Sequence, residues 1–211
     1  MINAERIARD VVVVGASAGG VEALGELFAT LPAALPAALA VVIHRSPVTE
    51  TMLPRVLGRH AQLPVAEPAD GEVIEPSRIY LAPRDQHMVV EGQRLRLHRG
   101  PKEHRTRPAI DPLFRSAAAA YRSRVVGVLL SGFGDDGVTG LVAIKAAGGL
   151  VLVQDPQEAR HPTMPLAAIA KDGVDAALDL ADIGRALTAL AESRAVAGSP
   201  PSAEASAPPA A

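Results

Sequence analysis

The chain predicts an α/β fold: a doubly wound, mostly parallel sheet with helices on both faces and an inserted β-hairpin region at about 63–99. Three observations carry that expectation. Apolar, β-branched-rich runs at 11–14, 38–44, 124–130 and 150–154 alternate with helical periodicities, and such runs suit strands covered on both faces. Two of them lead into glycine-rich turns, Gly15-Ala16-Ser17-Ala18-Gly19-Gly20 and Ser131 to Gly137, which belong at the carboxyl rim where open parallel sheets bind ligands. Between these turns the pattern shifts to short strands, with Glu91-Gly92-Gln93 marking a hairpin.

In chain order, four valines at 11–14 form a buried strand, and a glycine turn follows. The next helix spans 21–31, with Val21, Leu24, Leu27, Phe28 and Leu31 at helical spacing and Pro32 and Pro36 beyond its end. A second strand covers 38–44. Residues 49–60 read as helix, with Pro54 setting a late start or a kink. Short strands follow at 63–65, 78–81, 87–90 and 94–98, then a basic loop at 100–107. Asp111 is expected to cap a helix opened by Pro112 and running to Tyr121. After the strand at 124–130 and the second glycine turn, a helix runs to Ala147 and a strand to Gln154. Pro165 opens a short helix, 174–177 is an edge strand, and Asp179 caps a last helix with an apolar stripe of Leu180, Ile183, Leu187 and Leu190. Tyr80 and Phe114 are assigned to the core.

Composition narrows the function. Of the 211 residues 48% are hydrophobic but only 2% aromatic, so Val, Leu, Ile and Ala fill the core. The absence of cysteine excludes disulfides, thiolate metal sites and a Cys nucleophile. A net charge of -2 gives no basis for nucleic-acid binding. No apolar run approaches the ~20 residues of a membrane helix, and the first residues lack the order of a signal peptide. A cytoplasmic domain at 1–194 is therefore expected, followed by a disordered Ala/Pro/Ser tail at 195–211.

The two glycine turns carry the chemistry. Gly15-Ala16-Ser17-Ala18-Gly19 matches the Gly-x-Ser-x-Gly of a strained elbow that presents a serine hydroxyl. Alone, the turn fits a nucleophile or a phosphate cradle. A dinucleotide reading meets three obstacles. Ser17 stands where the second glycine belongs, no acidic ribose reader follows, and no Tyr-x-x-x-Lys pair exists. Ser17, His44 and the pair Asp135-Asp136 all fall at the carboxyl ends of strands. Serine needs a base to take its proton, histidine titrates near neutrality, and a carboxylate fixes the histidine tautomer. Singly, each has a plainer reading: a turn serine, a strand-end histidine, and an aspartate that caps the next helix or joins an acidic metal site.

The chain resembles the catalytic domain of bacterial chemotaxis protein-glutamate methylesterases (CheB type). The resemblance rests on Gly15 to Gly20, His44 with Pro47, Asp70-Gly71-Glu72, Tyr80 to Pro83 and His87. It continues through Arg105 to Pro108, Asp111 to Phe114, Val126 to Leu130 and Gly132 to Gly137, covering roughly 8–190. It implies a triad of Ser17, His44 and Asp136, and an oxyanion hole from the backbone N–H groups of Ala18 and Phe133. It also implies hydrolysis of γ-glutamyl methyl esters on chemoreceptor helices with release of methanol, deamidation of receptor glutamines, and no metal or organic cofactor. The implied partners are methylated chemoreceptor helices and a separate response regulator or methyltransferase, with no nucleic acid and no membrane insertion.

Ile43 and Asp135 depart from the Gln and Asn common in the family, and Phe133 stands where Met is frequent. Ser17 lies too near Met1 to leave room for the family's receiver domain, so regulation is expected to be constitutive or supplied by another protein. Arg105 and Arg107 are candidate substrate-binding residues, drawn to acidic surroundings of a methylation site. His87 and His104 are assigned to strand edge and loop, with cleft lining as the alternative. The competing functions are a catalytically silent binding module of a sensory array and a nucleotide-binding oxidoreductase.

Overall fold

A computed structural model describes residues 9–45 and 52–193. Pro47, the start of the helix expected at 49–60 and the 195–211 tail lie outside the described residues. In chain order the elements are β1 (Val11–Ala16), α1 (Gly20–Thr30), β2 (Ala38–Ile43), α2 (Leu53–Gly58), β3 (Val65–Ala66), β4 (Arg78–Leu81), β5 (His87–Glu91) and β6 (Arg94–His98). They continue as α3 (Ile110–Tyr121), β7 (Val125–Leu129), α4 (Val138–Ala146), β8 (Leu150–Gln154), α5 (Thr163–Ile169), β9 (Ala176–Leu178) and α6 (Leu180–Glu192).

Seven strands form one parallel sheet in the order β3-β4-β2-β1-β7-β8-β9. The chain leaves β1 towards β2 on one side and returns to β7 on the other, so the strand order reverses beside β1. Side chains alternate across the sheet. Val12, Val14, Leu39, Val41, Val126 and Val128 face a core shared with α1 and α6, through Leu24, Leu27, Phe28, Ile183 and Leu187. Val13, Ala40, Val42 and Leu129 face the opposite core, with Leu113 and Phe114 of α3, Leu141 and Ile144 of α4, and Met164 of α5.

The hairpin region is smaller than the expected 63–99. Among the described residues, β5 and β6 alone form a separate antiparallel sheet, which packs on α3. β3 and β4 extend the parallel sheet instead, because Ile79, Tyr80 and Leu81 are buried and pair in register with β2. Tyr80 is a core residue with a tethering role: its hydroxyl donates to the Val73 carbonyl and accepts from the Glu75 N–H. α5 begins two residues before Pro165, and the edge strand is β9. Asp179 caps α6, accepting the Asp182 N–H at 2.6 Å.

Asp111 does not cap its own helix. It sits in the first turn of α3, and the backbone N–H of Ala109 that precedes it is bonded to His87. Its buried carboxylate reaches α4 instead, accepting the Gly140 N–H at 2.7 Å and the Thr139 hydroxyl. Asp136 does the reverse, accepting the first two N–H groups of α3, Ile110 at 2.8 Å and Asp111 at 3.0 Å. α4 is therefore tied by an aspartate of α3, and α3 by an aspartate of the turn that leads into α4, which satisfies donors that helix starts leave open.

Candidate active site

Ser17 follows β1, His44 follows β2 and Asp136 lies in the turn after β7. These strands are neighbours in the sheet. The turn that carries Ser17 is stapled to the turn after β7. Ser17 N–H donates to the Ser131 carbonyl at 3.0 Å, and the Ser131 hydroxyl donates to the Ala18 carbonyl at 2.8 Å. Buried Gln154, at the end of β8, accepts the Ser131 N–H. The left-handed residue of the turn is Gly19, at φ 72°, and Ser17 itself is not among the positive-φ residues described. The elbow expected from the motif therefore exposes its hydroxyl without backbone strain at the serine.

His44 Nδ1 lies 3.1 Å from Ser17 Oγ, and His44 Nε2 lies 2.7 Å from Asp136 Oδ2. The opposite ring flip would set carbons against both partners, so the two contacts fix the ring orientation. With Asp136 ionised, the proton sits on Nε2 and Nδ1 offers its lone pair to the serine hydroxyl. Asp136 is only 2% exposed. Burial alone would raise its pKa, but the hydrogen bonds from His44, Ile110 and Asp111 hold it below the usual carboxylate range. A serine hydroxyl, a neutral imidazole and a held carboxylate, linked in that order, meet the requirement for general-base activation of a nucleophile.

Beside this chain lies an open cleft of about 340 Å³, lined by His44, His104, Arg105, Thr106, Phe133, Gly134, Asp135 and Asp136. Among the described residues, the N–H groups of Ala18 and Phe133 have no hydrogen-bond acceptor. Phe133 is 58% exposed, and its ring packs on His161 with centroids 4.4 Å apart. His104, assigned to a loop by the sequence reading, reaches into the cleft. Its Nε2 lies 3.0 Å from Asp111 Oδ2 and 3.9 Å from Asp136 Oδ1, and its Nδ1 lies 3.3 Å from Asp135 Oδ1.

The remaining candidates divide. Arg105 lines the cleft, but Arg107 does not: its Nε and Nη2 hold Asp85 Oδ1 at 2.9 and 2.7 Å, and its Nη1 donates to the Gly100 carbonyl. Arg107 is thus a loop anchor, a correction to its assignment as a substrate-binding residue. His87 is not a strand-edge polar residue but is 1% exposed, donating to the Pro101 carbonyl and accepting the Ala109 N–H. Burial pushes its pKa down, consistent with that neutral tautomer. His104, Asp111 and Asp136 present possible ligand atoms within 4.8 Å of one another. Their oxygens already accept from Ile110, Asp111, Thr139, Gly140 and His44, so the donor set is that of a hydrogen-bond network. Ser131, Gln154 and His161 escaped the sequence reading, since a turn serine, a strand-end glutamine and a loop histidine carry no pattern of their own.

The family model for CheB methylesterase matches residues 12–187. The chain is 41% identical over 180 residues to protein-glutamate methylesterase/protein-glutamine glutaminase 1 of Rhodospirillum rubrum, covering 82% of this chain and 46% of that protein. It is 38% identical over 190 residues to the protein of the same name from Paramagnetospirillum magneticum, covering 88% and 50%. The chain thus spans about half the length of the curated relatives it matches. The crystal structure of the Thermotoga maritima CheB methylesterase catalytic domain superposes with a TM-score of 0.82 at 31% identity, covering 87% of this chain and all of that one.

Proposed function

The chain belongs to the CheB methylesterase family, and on that premise we propose that it is a serine hydrolase of γ-glutamyl methyl esters on chemoreceptor-type proteins. The observation that carries this reading is the His44 ring, bonded through one nitrogen to Ser17 and through the other to Asp136. The names of the relatives add the substrate class and a second activity, glutamine deamidation.

In this mechanism Ser17 Oγ attacks the ester carbonyl as its proton passes to His44 Nδ1. The imidazolium is stabilised by Asp136, and the oxyanion is received by the N–H groups of Ala18 and Phe133. Collapse of the tetrahedral intermediate breaks the bond to methoxide, which leaves as methanol with the proton from Nδ1. Water, activated by the same nitrogen, then hydrolyses the acyl-enzyme, releasing the substrate's glutamate side chain as a carboxylate and restoring Ser17. An amide substrate follows the same path with ammonia as leaving group. Arg105, which lines the cleft, is the residue we propose attracts acidic groups that flank the modified glutamate. Methylated receptor helices are the partner proposed on this reading.

Methanol release from methylated receptor membranes tests the reading. The wild-type chain is expected to release methanol and Ser17→Ala to release none above background. Release that survives Ser17→Ala would reject Ser17 as nucleophile.

A further inference from the structure

We propose that His104, as its imidazolium, is a positioning residue: it is the counter-ion of Asp111, Asp135 and Asp136 and keeps Asp136 in the ionised form that orients His44. The inference rests on the reading of Ser17, His44 and Asp136 given above.

Both ring nitrogens of His104 face carboxylates, Nε2 towards Asp111 at 3.0 Å and Asp136 at 3.9 Å, and Nδ1 towards Asp135 at 3.3 Å. A neutral imidazole carries one donor and one lone pair, and a lone pair aimed at a carboxylate is repelled. Only the doubly protonated ring suits both sides. Several other charged or titratable groups surround it. From α3 come Asp111 and Arg115, whose Nη1 is 3.8 Å from Asp111 Oδ2. From the turn after β7 come Asp135 and Asp136, and from the end of β2 comes His44. Its own loop supplies Arg105 and Glu103, the latter already paired with Arg115 at 2.8 Å. Carboxylates are thus its nearest partners. Burial alone would lower the His104 pKa, but Asp136, Asp111 and Asp135 together raise it.

The backbone supports the assignment. His104 and Arg105 adopt φ values of 48° and 64°, a left-handed conformation uncommon for residues with a Cβ. Such residues persist where surrounding contacts hold them: the turn is closed by the Thr106 N–H and hydroxyl donating to the Glu103 carbonyl, at 2.8 and 3.2 Å, and it presents the imidazole to Asp111 and Asp135. Without the cation, the buried carboxylates of Asp111 and Asp136 would share one corner with Asp135, and like charges in close quarters favour protonation of one of them. A protonated or displaced Asp136 no longer fixes the tautomer of His44.

The test is the pH dependence of Ser17 labelling by a fluorophosphonate, which reads serine reactivity without the natural substrate. Wild-type labelling should fall towards higher pH as His104 loses its proton. His104→Gln should label about tenfold more slowly at neutral pH, the scale of one charged hydrogen bond, and should lack the alkaline fall. Asp135→Asn, which removes a carboxylate from His104, should move that fall to lower pH, and the NMR titration of the His104 ring should move with it. An alkaline fall that persists unchanged in His104→Gln, or that Asp135→Asn leaves in place, would overturn the proposal. Labelling that persists in Ser17→Ala would instead overturn the reading of the site on which it rests.

Discussion

Asp136→Asn separates a carboxylate that fixes a histidine from one that merely caps a helix. Asp136 accepts three hydrogen bonds, from His44 at 2.7 Å and Ile110 at 2.8 Å on Oδ2 and from Asp111 at 3.0 Å on Oδ1. An amide keeps only one accepting oxygen. With that oxygen in the Oδ2 position, the Asp111 N–H faces an NH₂ group, and an unpaired buried donor costs about 1–3 kcal/mol of stability. With it in the Oδ1 position, His44 Nε2 must accept from the amide, which moves the ring proton to Nδ1 and blocks Ser17. The first arrangement costs less in hydrogen bonds, yet it also removes the charge that stabilises the imidazolium. An equivalent change in a serine protease lowers kcat about 10⁴-fold, and a loss of about 10³-fold or more is expected here. Asp135 is 74% exposed, and at neutral pH Asp135→Asn should change the rate by no more than about threefold, the scale of a surface pair. The assay is release of p-nitrophenol from p-nitrophenyl acetate, with thermal unfolding measured in parallel. If Asp136→Asn stays within tenfold of wild type, or Asp135→Asn falls as far, the carboxylate has been misassigned.

Two further outcomes follow from the same geometry. Gly132→Ala would place a Cβ 2.1 Å from Met164 Sδ and 2.7 Å from Ser17 Cβ, and both neighbours are packed. It should lower serine labelling about 10²-fold by displacing the nucleophile, and stability by about 1–3 kcal/mol, seen as a lower Tm; unchanged labelling would contradict the stated packing of the two turns. The depressed pKa of Asp136 makes a pH prediction with a definite sign. A carboxylate whose folded pKa lies below its unfolded value contributes stability above the unfolded pKa and loses it as pH falls through the folded one. The stability gap between wild type and Asp136→Asn should therefore be full at neutral pH, begin to shrink below about pH 4 and close with further acidification. Urea unfolding across that range checks it, and a gap that widens in acid would refute the assignment.

Ser17, His44 and the pair Asp135-Asp136 were legible because each ends or follows an uninterrupted apolar run, and such runs stop at the carboxyl rim of a parallel sheet; the choice of Asp136 within the pair came from the family resemblance. The limits of the hairpin were not. β3 has two residues and β4 four, too few for periodicity to separate a sheet-edge strand from a hairpin arm. Asp111 misled for a different reason. An aspartate followed by proline is a sound helix-start signal, but the carboxylate serves whichever open N–H groups lie nearest, and those belong to α4. His104 carries no local signal, because its partners Asp135 and Asp136 are brought to it by the packing of α3 against α4. Arg105 and Arg107 look equivalent as basic loop residues, and only the position of Asp85 sends Arg107 into a structural pair.

The strand order explains why the site requires both layers of the fold. β1 leads to Ser17 and lies between β2, which leads to His44, and β7, which leads to Asp136. Neighbouring strands are about 4.8 Å apart, so the backbones bearing the histidine and the carboxylate are separated by the strand that bears the serine. The carboxylate closes that gap because the start of α3 draws it in with two backbone N–H groups, while Asp111 returns the tie to α4. That reciprocal capping depends on close approach of the two helices. A Cβ on Gly140 would stand 2.3 Å from Phe114 Cβ, so the contact that lets Asp111 reach α4 tolerates no larger residue. The glycine turn can present the serine from local sequence alone, but the carboxylate bonded to His44 is held by the start of α3, which Asp111 ties to α4, and the reactivity proposed for Ser17 is therefore a property of the α3–α4 layer as much as of the turn that bears it.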